Sequence, residues 1–399
     1  MEIIIEFDIK IDMESSNLEN ILKEFTRHIP MIFGHFTGKV LNEFAEQSLE
    51  NGTLAGMIGC SRVTKKTFKG SEITRISTPY GTLILPQLQV LNQDTGSRVY
   101  VTRKLLGIEP CKRIPLITKK YFGIMGALAP LRVVNKFMSL FTGTSVSLMT
   151  IVRSIRDTAK TIDLKIDTGE TNEFEADGTG IPILNAGKRG KELEILAQRT
   201  HSGRIRIAGM IISAYKQGWK NLFEPLKDSL KTFKTIFLVT DGDTSPLSAI
   251  EGVTVILQRC LFHIAHETKY TLWKDKVKHK NKKWLYILAK ILEITNVRRV
   301  WEAPGVATNI IKWKRNQFTR LIHYCEKNKF THTATYLHSA QNDIFSGIER
   351  RISGGTTSLL ERVMRTVNQR INVAKWSDQS ALAVAKIRGA YYYNGWNVG

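Results

Sequence analysis

Residues 235–247 read TIFLVTDGDTSPL, an apolar run that passes directly into an acid–glycine–acid sequence. The uncharged run TIFLVT, rich in β-branched and aromatic residues, predicts a buried strand. The dipeptide Asp241-Gly242 predicts the turn that ends this strand. Two interpretations of the carboxylates stay open here, because they either belong to an ordinary turn or hold a metal ion at the strand end.

The sequence around this strand alternates between further strands and helices. NEFEADGTGIPIL, residues 172–184, predicts a strand that ends at Asp177, a glycine turn and a second strand. SGRIRIAGMIIS (202–213) and VTVILQ (253–258) predict two more strands, and WKNLFEPLKDSL (219–230) predicts an amphipathic helix. This alternation predicts an α/β layer fold with a mixed sheet.

The character of the sequence changes along the chain and predicts five regions. The first is helical and then β-rich, and the second resembles a helix-turn-helix domain. The third and fifth form the α/β core, which the fourth interrupts as a long all-α insertion. The predicted bounds are 1–105, 106–165, 166–260, 261–344 and 345–399.

The chain is strongly basic, with 58 Lys and Arg residues against 36 Asp and Glu residues and a formal net charge of +22. Such a charge favours a polyanionic partner, and the spread of the basic clusters favours DNA; a generally basic proteome is the alternative. The four cysteines are far apart, which predicts no disulfide framework and a reducing compartment. No signal peptide or membrane span is recognised, so the expected location is the cytoplasm, at the prokaryotic nucleoid.

Residues 129–159 have the outline of a helix-turn-helix. APLRVVNKFMSLF and LMTIVRSIRDTA both show helical spacing, and TGTSVS separates them. In such a motif the second helix enters the major groove, so its exposed side chains are candidates for DNA contact. An ordinary helical hairpin remains the alternative. The candidate DNA-contacting residues are Ser147, Thr150, Arg153 and Arg156.

Three acids are candidates for metal-dependent chemistry: Asp177, Asp241 and Glu361. Carboxylate clusters that hold two Mg²⁺ ions catalyse phosphoryl transfer on nucleic acids. Each acid also has a purely structural interpretation. The two aspartates form Asp-Gly turn dipeptides, and Ser358-Leu-Leu-Glu361 has the spacing of a capping box, in which Glu361 bonds back to the helix start.

Four segments, in order, carry a family resemblance: ADGTGIPI, LVTDGD, LQRCLFH and TTSLLERVMRTVNQR. Together with KWSDQSALAVAKIRG near the C-terminus, this order resembles the Mutator-like superfamily of DDE transposases of prokaryotic insertion sequences. The resemblance covers roughly residues 170–390. It implies an RNase H-like core with one Asp on the first strand, the second Asp after the fourth strand and the Glu on a late helix. It also implies a helical insertion before the Glu, and a Cys-x-x-His signature, here Cys260 and His263.

The resemblance implies that Asp177, Asp241 and Glu361 hold two Mg²⁺ or Mn²⁺ ions. The implied activity is cleavage at the transposon ends followed by strand transfer into target DNA. The implied partners are the terminal inverted repeats and the target DNA, and the need to hold two ends together predicts a homodimer. An RNase H-like nuclease or resolvase without strand transfer, and an inactive transposase-derived DNA-binding protein, are the alternatives.

Several further side chains are candidates near this site. His263 is expected to contact the scissile phosphate. Cys260 and His263 could instead form half of a zinc site, with His266, His279 or Cys325 as conceivable partners. The candidate DNA-contacting residues of the core are Lys188, Arg189 and Lys191 in a basic hairpin, and Arg362, Arg365 and Gln369 on or near the Glu361 helix.

The tryptophans of the insertion, Trp273, Trp284, Trp301 and Trp313, are interpreted mainly as core residues. Stacking on unpaired bases is the alternative.

Overall fold

The structure is a computed structural model that describes residues 18–65, 73–78, 81–86, 88–105, 108, 114–142, 145–184, 190–214, 218–297, 307–350, 352 and 355–396. The chain divides into two compact units, Met1–Thr161 and Ile162–Gly399. Among the helices so described, none is both long and apolar enough to cross a membrane. The predicted basic hairpin residues Lys188 and Arg189, and also Trp301, lie outside the described residues.

The first unit combines helices with short antiparallel strands. Its helices are α1 (Leu18–Glu50), α2 (Leu54–Met57), α3 (Val101–Leu105), α4 (Leu116–Leu128), α5 (Leu131–Thr142) and α6 (Leu148–Lys160). Its strands are β1 (Val63–Lys65), β2 (Ile73–Thr78), β3 (Gly81–Pro86), β4 (Gln89–Asn92) and β5 (Arg98–Tyr100). They form a three-stranded sheet of order β1-β4-β5 and the hairpin β2-β3.

Helix α4 packs closely against α6 because two glycines of α4 face it. A Cβ atom on Gly123 would lie 2.2 Å from the Thr158 hydroxyl oxygen, and one on Gly126 would lie 2.6 Å from a methyl carbon of Ile151. Larger residues at either position would therefore push the two helices apart.

Helices α5 and α6 lie where the helix-turn-helix pattern predicts them, and their role in DNA binding stays a prediction. Ser147 is the N-cap of α6, and its hydroxyl oxygen accepts the backbone N–H of Thr150 at 3.1 Å. The two hydroxyl groups are also hydrogen-bonded to each other at 2.9 Å. Both polar side chains therefore stabilise the start of the helix.

The second unit is a mixed α/β fold, which confirms the predicted α/β class with a mixed sheet. Its sheet has the order β10-β9-β6-β7-β8. Strands β6, β7 and β8 form an antiparallel meander, whereas β9 is parallel to β6 and β10 is parallel to β9. The strands are β6 (Glu173–Ile181), β7 (Lys191–Arg199), β8 (Ile205–Ser213), β9 (Thr235–Thr240) and β10 (Thr254–Arg259).

The prediction for residues 172–184 is wrong in one respect. The Asp177-Gly178 dipeptide does not turn, because β6 runs on to Ile181. Gly178 pairs with Glu194 and Gly180 pairs with Glu192 of β7, a strand that the sequence interpretation missed. Neither glycine has a positive φ. An Asp-Gly pair favours a turn, but here the neighbouring strand supplies a regular ladder that outweighs this local preference.

Helices cover both faces of this sheet. On one face, Phe174, Ala176 and Leu196 pack with Trp219 and Leu222 in one hydrophobic cluster. On the other face, a Cβ on Gly389 would lie 2.7 Å from the Met210 side chain, so the last helix lies against β8. The helices are α7 (Trp219–Phe223), α8 (Lys227–Lys231), α9 (Ser245–Ala249), α10 (Leu261–Lys274), α11 (Lys282–Thr295), α12 (Ala307–Lys327), α13 (Thr331–Ala340), α14 (Ser346–Glu349), α15 (Ser358–Ile371) and α16 (Asp378–Tyr393), and a 3-10 turn (Glu224–Leu226) joins α7 to α8.

Helices α10 to α14 share a hydrophobic core of their own. Buried residues from successive helices meet there, and Trp284 is 3% exposed. Members of this cluster from each helix are Ile264, Leu272, Trp284, Ile287, Phe318, Leu321, Leu337 and Ile348. No strand interrupts these helices within the part of 261–349 that the structure describes.

Candidate metal centre

Asp177 and Asp241 lie at the same level along two neighbouring parallel strands, β6 and β9. The last parallel pair of β6 and β9 is Glu175 with Val239, so Asp177 and Asp241 each lie two residues further along. Asp177 is inside β6, still paired with Ile195 of β7, whereas Asp241 directly follows β9. The two strands stop pairing before these residues, which leaves room for two carboxylates at this edge.

The turn after β9 separates the roles of its two aspartates. One carboxylate oxygen of Asp241 accepts the N–H of Asp243 at 2.8 Å. Asp243 in turn accepts the N–H of Ser245 at 3.0 Å and is hydrogen-bonded to the Ser245 hydroxyl, so it supports the start of α9. Gly242 has φ of 113°, which only glycine adopts readily. The turn therefore holds Asp241 at the end of β9.

Glu361 comes from the first turn of α15, and its carboxylate lies 3.3 Å from Nε2 of His263. The capping-box interpretation is wrong, because the helix begins at Ser358 after Thr357 and no side chain of its own N-terminal residues caps it. Glu175 of β6 does so instead: its Oε2 accepts the N–H of Leu360 at 3.1 Å. The Glu361 carboxylate is therefore available to face the site.

Helix α15 is attached to β6 at a second point. The Asn368 side-chain amide donates to the Thr179 hydroxyl at 2.9 Å. Four residues of strand span ~13 Å, and eight residues of helix span ~12 Å. The spacing from Glu175 to Thr179 therefore matches that from Leu360 to Asn368, and α15 runs alongside the strand that carries Asp177.

Three side chains from three elements form a group with metal-ligand spacing. Asp177, His263 and Glu361 each offer one ligand atom, and these atoms all lie within 4.8 Å of one another. No other group of this kind occurs among the residues that the structure describes. Asp241 lies outside the group, but its charge acts on both Asp177 and His263.

The carboxylates and His263 perturb one another strongly. Burial, together with the charge of Asp241, raises the pKa of Asp177 from its ordinary value of 3.8 to about 7. Burial by itself would lower the pKa of His263, but the Cys260 thiol and the carboxylates of Asp177 and Asp241 raise it to about 9. In the metal-free protein, this raised pKa favours the protonated ring of His263. It neutralises only part of the charge of three carboxylates, so the donor set fits a hard divalent cation.

Cys260 and His263 have different roles at the start of α10. Cys260 is the N-cap residue and is fully buried. Its sulfur accepts the N–H of Thr357 at 3.3 Å and the Thr357 hydroxyl at 3.4 Å. Cys260 thus connects the first turn of α10 to the first turn of α15, and places His263 opposite Glu361.

The conceivable zinc partners do not join Cys260 and His263. His266 is exposed, and its ring lies beside Glu267. Cys325 is fully buried in the helical core. The ring of His279 lies against Trp284, with centroids 4.6 Å apart. None belongs to the candidate metal group found among the described residues.

Two buried ion pairs next to the site were missed by the sequence interpretation. Glu175 is fully buried, and its Oε1 lies 2.7 Å from the guanidinium of Arg199. The sequence could have indicated that Glu175 lies near the site, because Glu175 is two residues before Asp177 and therefore on the same face of β6. Arg259, at the end of β10, donates two hydrogen bonds of 3.1 Å to the carboxylate of Asp343. A Cβ on Gly242 would lie 3.1 Å from this guanidinium, so the pair lies beneath the Asp241 turn.

The predicted DNA-contacting residues are mostly at the surface. Arg153 on α6 is exposed and Arg156 is half-buried. Arg362, Arg365 and Gln369 on α15 are exposed. The positions of these side chains permit contact with DNA, which stays a prediction.

Replacing Asp177 by Asn is expected to stabilise the metal-free protein near pH 8. The folded-state pKa of Asp177, about 7, is above its ordinary value of 3.8. The folded state therefore favours the protonated form of the Asp177 carboxyl group. The stability that this preference contributes is fully present below pH ~4 and is lost as the pH rises through ~7. The gain is on the order of a few kcal/mol near pH 8 and shrinks near pH 5.

Urea unfolding of wild type and Asp177→Asn in EDTA at both pH values measures this difference. Asp163→Asn, at an exposed position, is the control for the amide substitution itself. Equal stability of wild type and Asp177→Asn near pH 8 would contradict the raised pKa of Asp177 in the folded protein.

Comparison with known proteins finds no family model that matches this chain and no curated protein that matches its sequence.

Proposed function

We propose that this chain is a Mutator-like DDE transposase, which cleaves DNA at transposon ends and transfers the strands into target DNA. The observation that carries the proposal is the arrangement of Asp177, Asp241 and Glu361. These acids come from a strand, from the end of a neighbouring strand and from a late helix. Asp177 and Glu361 meet at His263, and the charge of Asp241 acts on both Asp177 and His263 at the same edge of the mixed sheet.

The order of the elements supports an RNase H-like core. Asp177 lies on the first of the five strands, Asp241 follows the fourth, and Glu361 lies on the helix before the last. The Cys260–His263 signature directly follows the fifth strand. The helices between His263 and Glu361 correspond to the insertion that the resemblance implies.

Asp177, Asp241 and Glu361 are the residues that would hold two Mg²⁺ or Mn²⁺ ions. When bound, such ions activate the attacking oxygen and stabilise the leaving oxygen of an in-line phosphoryl transfer. The chain itself supplies rigid placement. Asp177 is held in a paired strand, and Glu361 is held by the contacts of Glu175 and Asn368 along α15.

His263 is placed to act on the substrate phosphate. Its Nε2 lies 3.3 Å from the Glu361 carboxylate, and in the metal-free protein the Cys260 thiol and the carboxylates of Asp177 and Asp241 raise its pKa to about 9. A protonated imidazole donates charge-assisted hydrogen bonds to phosphate oxygens. Arg362 and Arg365 are exposed on the same helix as Glu361, where they can bind the flanking phosphates.

The positive charge of the chain supports DNA as the partner. A net charge of +22 attracts phosphate backbones without regard to sequence. Arg153, exposed on α6, would then position that helix on duplex DNA. A homodimer is part of the proposal, since two transposon ends have to be held together.

A strand-transfer assay tests the proposed function and separates it from its alternatives. The DNA is the genomic sequence that flanks the gene on both sides, supplied uncut or pre-cleaved, with Mg²⁺ and a target plasmid. Joined products from both substrates are expected. Cleavage without joining would identify a nuclease or resolvase, and binding without cleavage would identify an inactive derivative; either result would overturn the proposal.

A further inference from the structure

Helix α10 presents an exposed aromatic face that begins at the candidate metal centre. At 100° per residue, Phe262, His266, Lys269, Tyr270 and Trp273 all lie within an arc of about 100°. Phe262 is 64% exposed, Tyr270 is 48% exposed and Trp273 is 66% exposed. We call Phe262, Tyr270 and Trp273 the aromatic stripe. His263 lies at its edge, so the stripe is continuous with the site.

The interpretation as a core residue is therefore wrong for Trp273 and also for Trp313, which is 47% exposed, although it is right for Trp284. The opposite face of α10 carries Leu261, Ile264 and Leu272, which are buried in the helical core. That core is complete without Trp273, which leaves the indole at the surface. A cluster of large exposed aromatic side chains on one helix face marks an interaction site.

The rings of Tyr270 and Trp273 are nearly parallel to each other, and we call this pair the platform. Their centroids are 5.7 Å apart and their planes differ by 17°, so they are stacked. The ammonium of Lys274 lies 4.5 Å from the centre of the Tyr270 ring. Stacked aromatic rings with an adjacent cation are what proteins use to bind unpaired bases.

The charge next to the platform is strongly positive. Six lysines in ten residues, all exposed, follow Trp273: Lys274, Lys276, Lys278, Lys280, Lys282 and Lys283. The one acid among them, Asp275, is engaged elsewhere. Its carboxylate accepts the N–H groups of His332 and Thr333, both at 2.9 Å, and so caps α13. The lysines therefore attract a polyanion to this end of α10.

We propose that the aromatic stripe binds single-stranded DNA, whose unpaired bases stack on Trp273 and Tyr270 while the lysines bind its phosphates. The inference rests on the proposed function, because it takes this DNA to be the strand that enters or leaves the candidate metal centre. Duplex DNA does not fit the platform, since its base faces are already stacked. The lysines favour DNA over an apolar protein partner.

The distance along the helix suits a short stretch of unpaired strand. Trp273 is ten residues beyond His263, which is ~15 Å along the helix axis. At the duplex rise of ~3.4 Å per nucleotide, about four nucleotides cover this distance, and an extended strand needs fewer. The stripe is therefore positioned to hold the bases nearest the cleaved phosphate.

Fluorescence anisotropy with a labelled oligothymidine tests the inference on the full chain without Mg²⁺. Stacking is worth ~1–3 kcal/mol per base, so Trp273→Ala is expected to weaken binding by about 5- to 150-fold. Trp273→Phe, which keeps a ring, is expected to recover part of this loss. Trp313→Ala is the matched control, because Trp313 is also an exposed tryptophan of these helices, at 47%.

The results separate this inference from the proposed function. The inference would be overturned if Trp273→Ala bound oligothymidine as tightly as wild type. It would also be overturned if Trp273→Ala and Trp313→Ala lost the same amount of affinity. A wild type that binds the oligothymidine through Trp273 but joins no strands would overturn the transposase and leave the stripe intact. Unfolding curves of both alanine variants that match wild type establish that the losses come from binding, as surface substitutions permit.

Discussion

Replacing Asp241 by Asn is expected to lower the proposed Mg²⁺-dependent DNA cleavage roughly 10³-fold or more, because stabilisation of the transition state by a bound metal is worth several kcal/mol. Asp241 continues the register of the parallel strands to the level of Asp177. Its charge acts directly on Asp177 and His263. The amide preserves the size of the side chain but removes the charge that a divalent cation needs. Cleavage of the flanking-DNA substrate over time measures the loss.

Asp243→Asn is the matched control for this prediction. It lies two residues away and removes the same charge, but the Asp243 carboxylate accepts the N–H of Ser245 and supports α9. An Asn side chain can accept the same hydrogen bond, so the variant is expected to retain cleavage within a few-fold of wild type. Equal cleavage by wild type and Asp241→Asn would sink the proposed mechanism. Loss of cleavage in Asp243→Asn but not in Asp241→Asn would show that Asp243, and not Asp241, is the metal ligand.

Arg199→Met is expected to lower the free energy of unfolding of the second unit by ~3–5 kcal/mol, because it leaves the buried charge of Glu175 without its partner. The pair is 2.7 Å apart, and Glu175 is fully buried. Burial raises the pKa of Glu175, although Arg199 and the N–H of Leu360 oppose this shift. The effect is large because this carboxylate also caps α15. Urea denaturation of the metal-free protein measures the loss.

Two further variants make this prediction specific. Lys290→Met removes a partner from the exposed pair with Glu293, at 2.8 Å, and is expected to leave the midpoint unchanged. The double variant Glu175→Gln/Arg199→Met keeps an acceptor for Leu360 and removes both charges, so it is expected to be more stable than Arg199→Met. A single variant as stable as wild type would show that the pair does not hold α15 against β6.

The strand and turn around Asp241 could be predicted from sequence because both are local. An uncharged β-branched run predicts a strand, and Asp-Gly predicts a turn; the structure has β9 end at Thr240 and a glycine with φ of 113° two residues later. The same logic failed at Asp177-Gly178. There the pairing of Gly178 with Glu194 keeps the backbone extended, and the partner strand is a property of the sheet rather than of the dipeptide.

Burial was the feature that local patterns predicted least well. Trp273 and Trp284 are both helical tryptophans of the same region, yet they are 66% and 3% exposed. Glu175 is a glutamate in a strand, which ordinarily indicates a solvent-facing position, yet it is fully buried under α15. Both differences depend on which helix covers which face.

By itself, the sequence determined the α/β class, the strand that leads into Asp241 and the start of the helical region directly after Cys260. Only the tertiary structure decided that Asp177, His263 and Glu361 have ligand atoms within 4.8 Å of one another. It also decided that Glu175 and Asn368 hold α15 along β6. The physical reason is that chain connectivity constrains only near neighbours. Distances between residues far apart in the chain follow from strand order and helix packing.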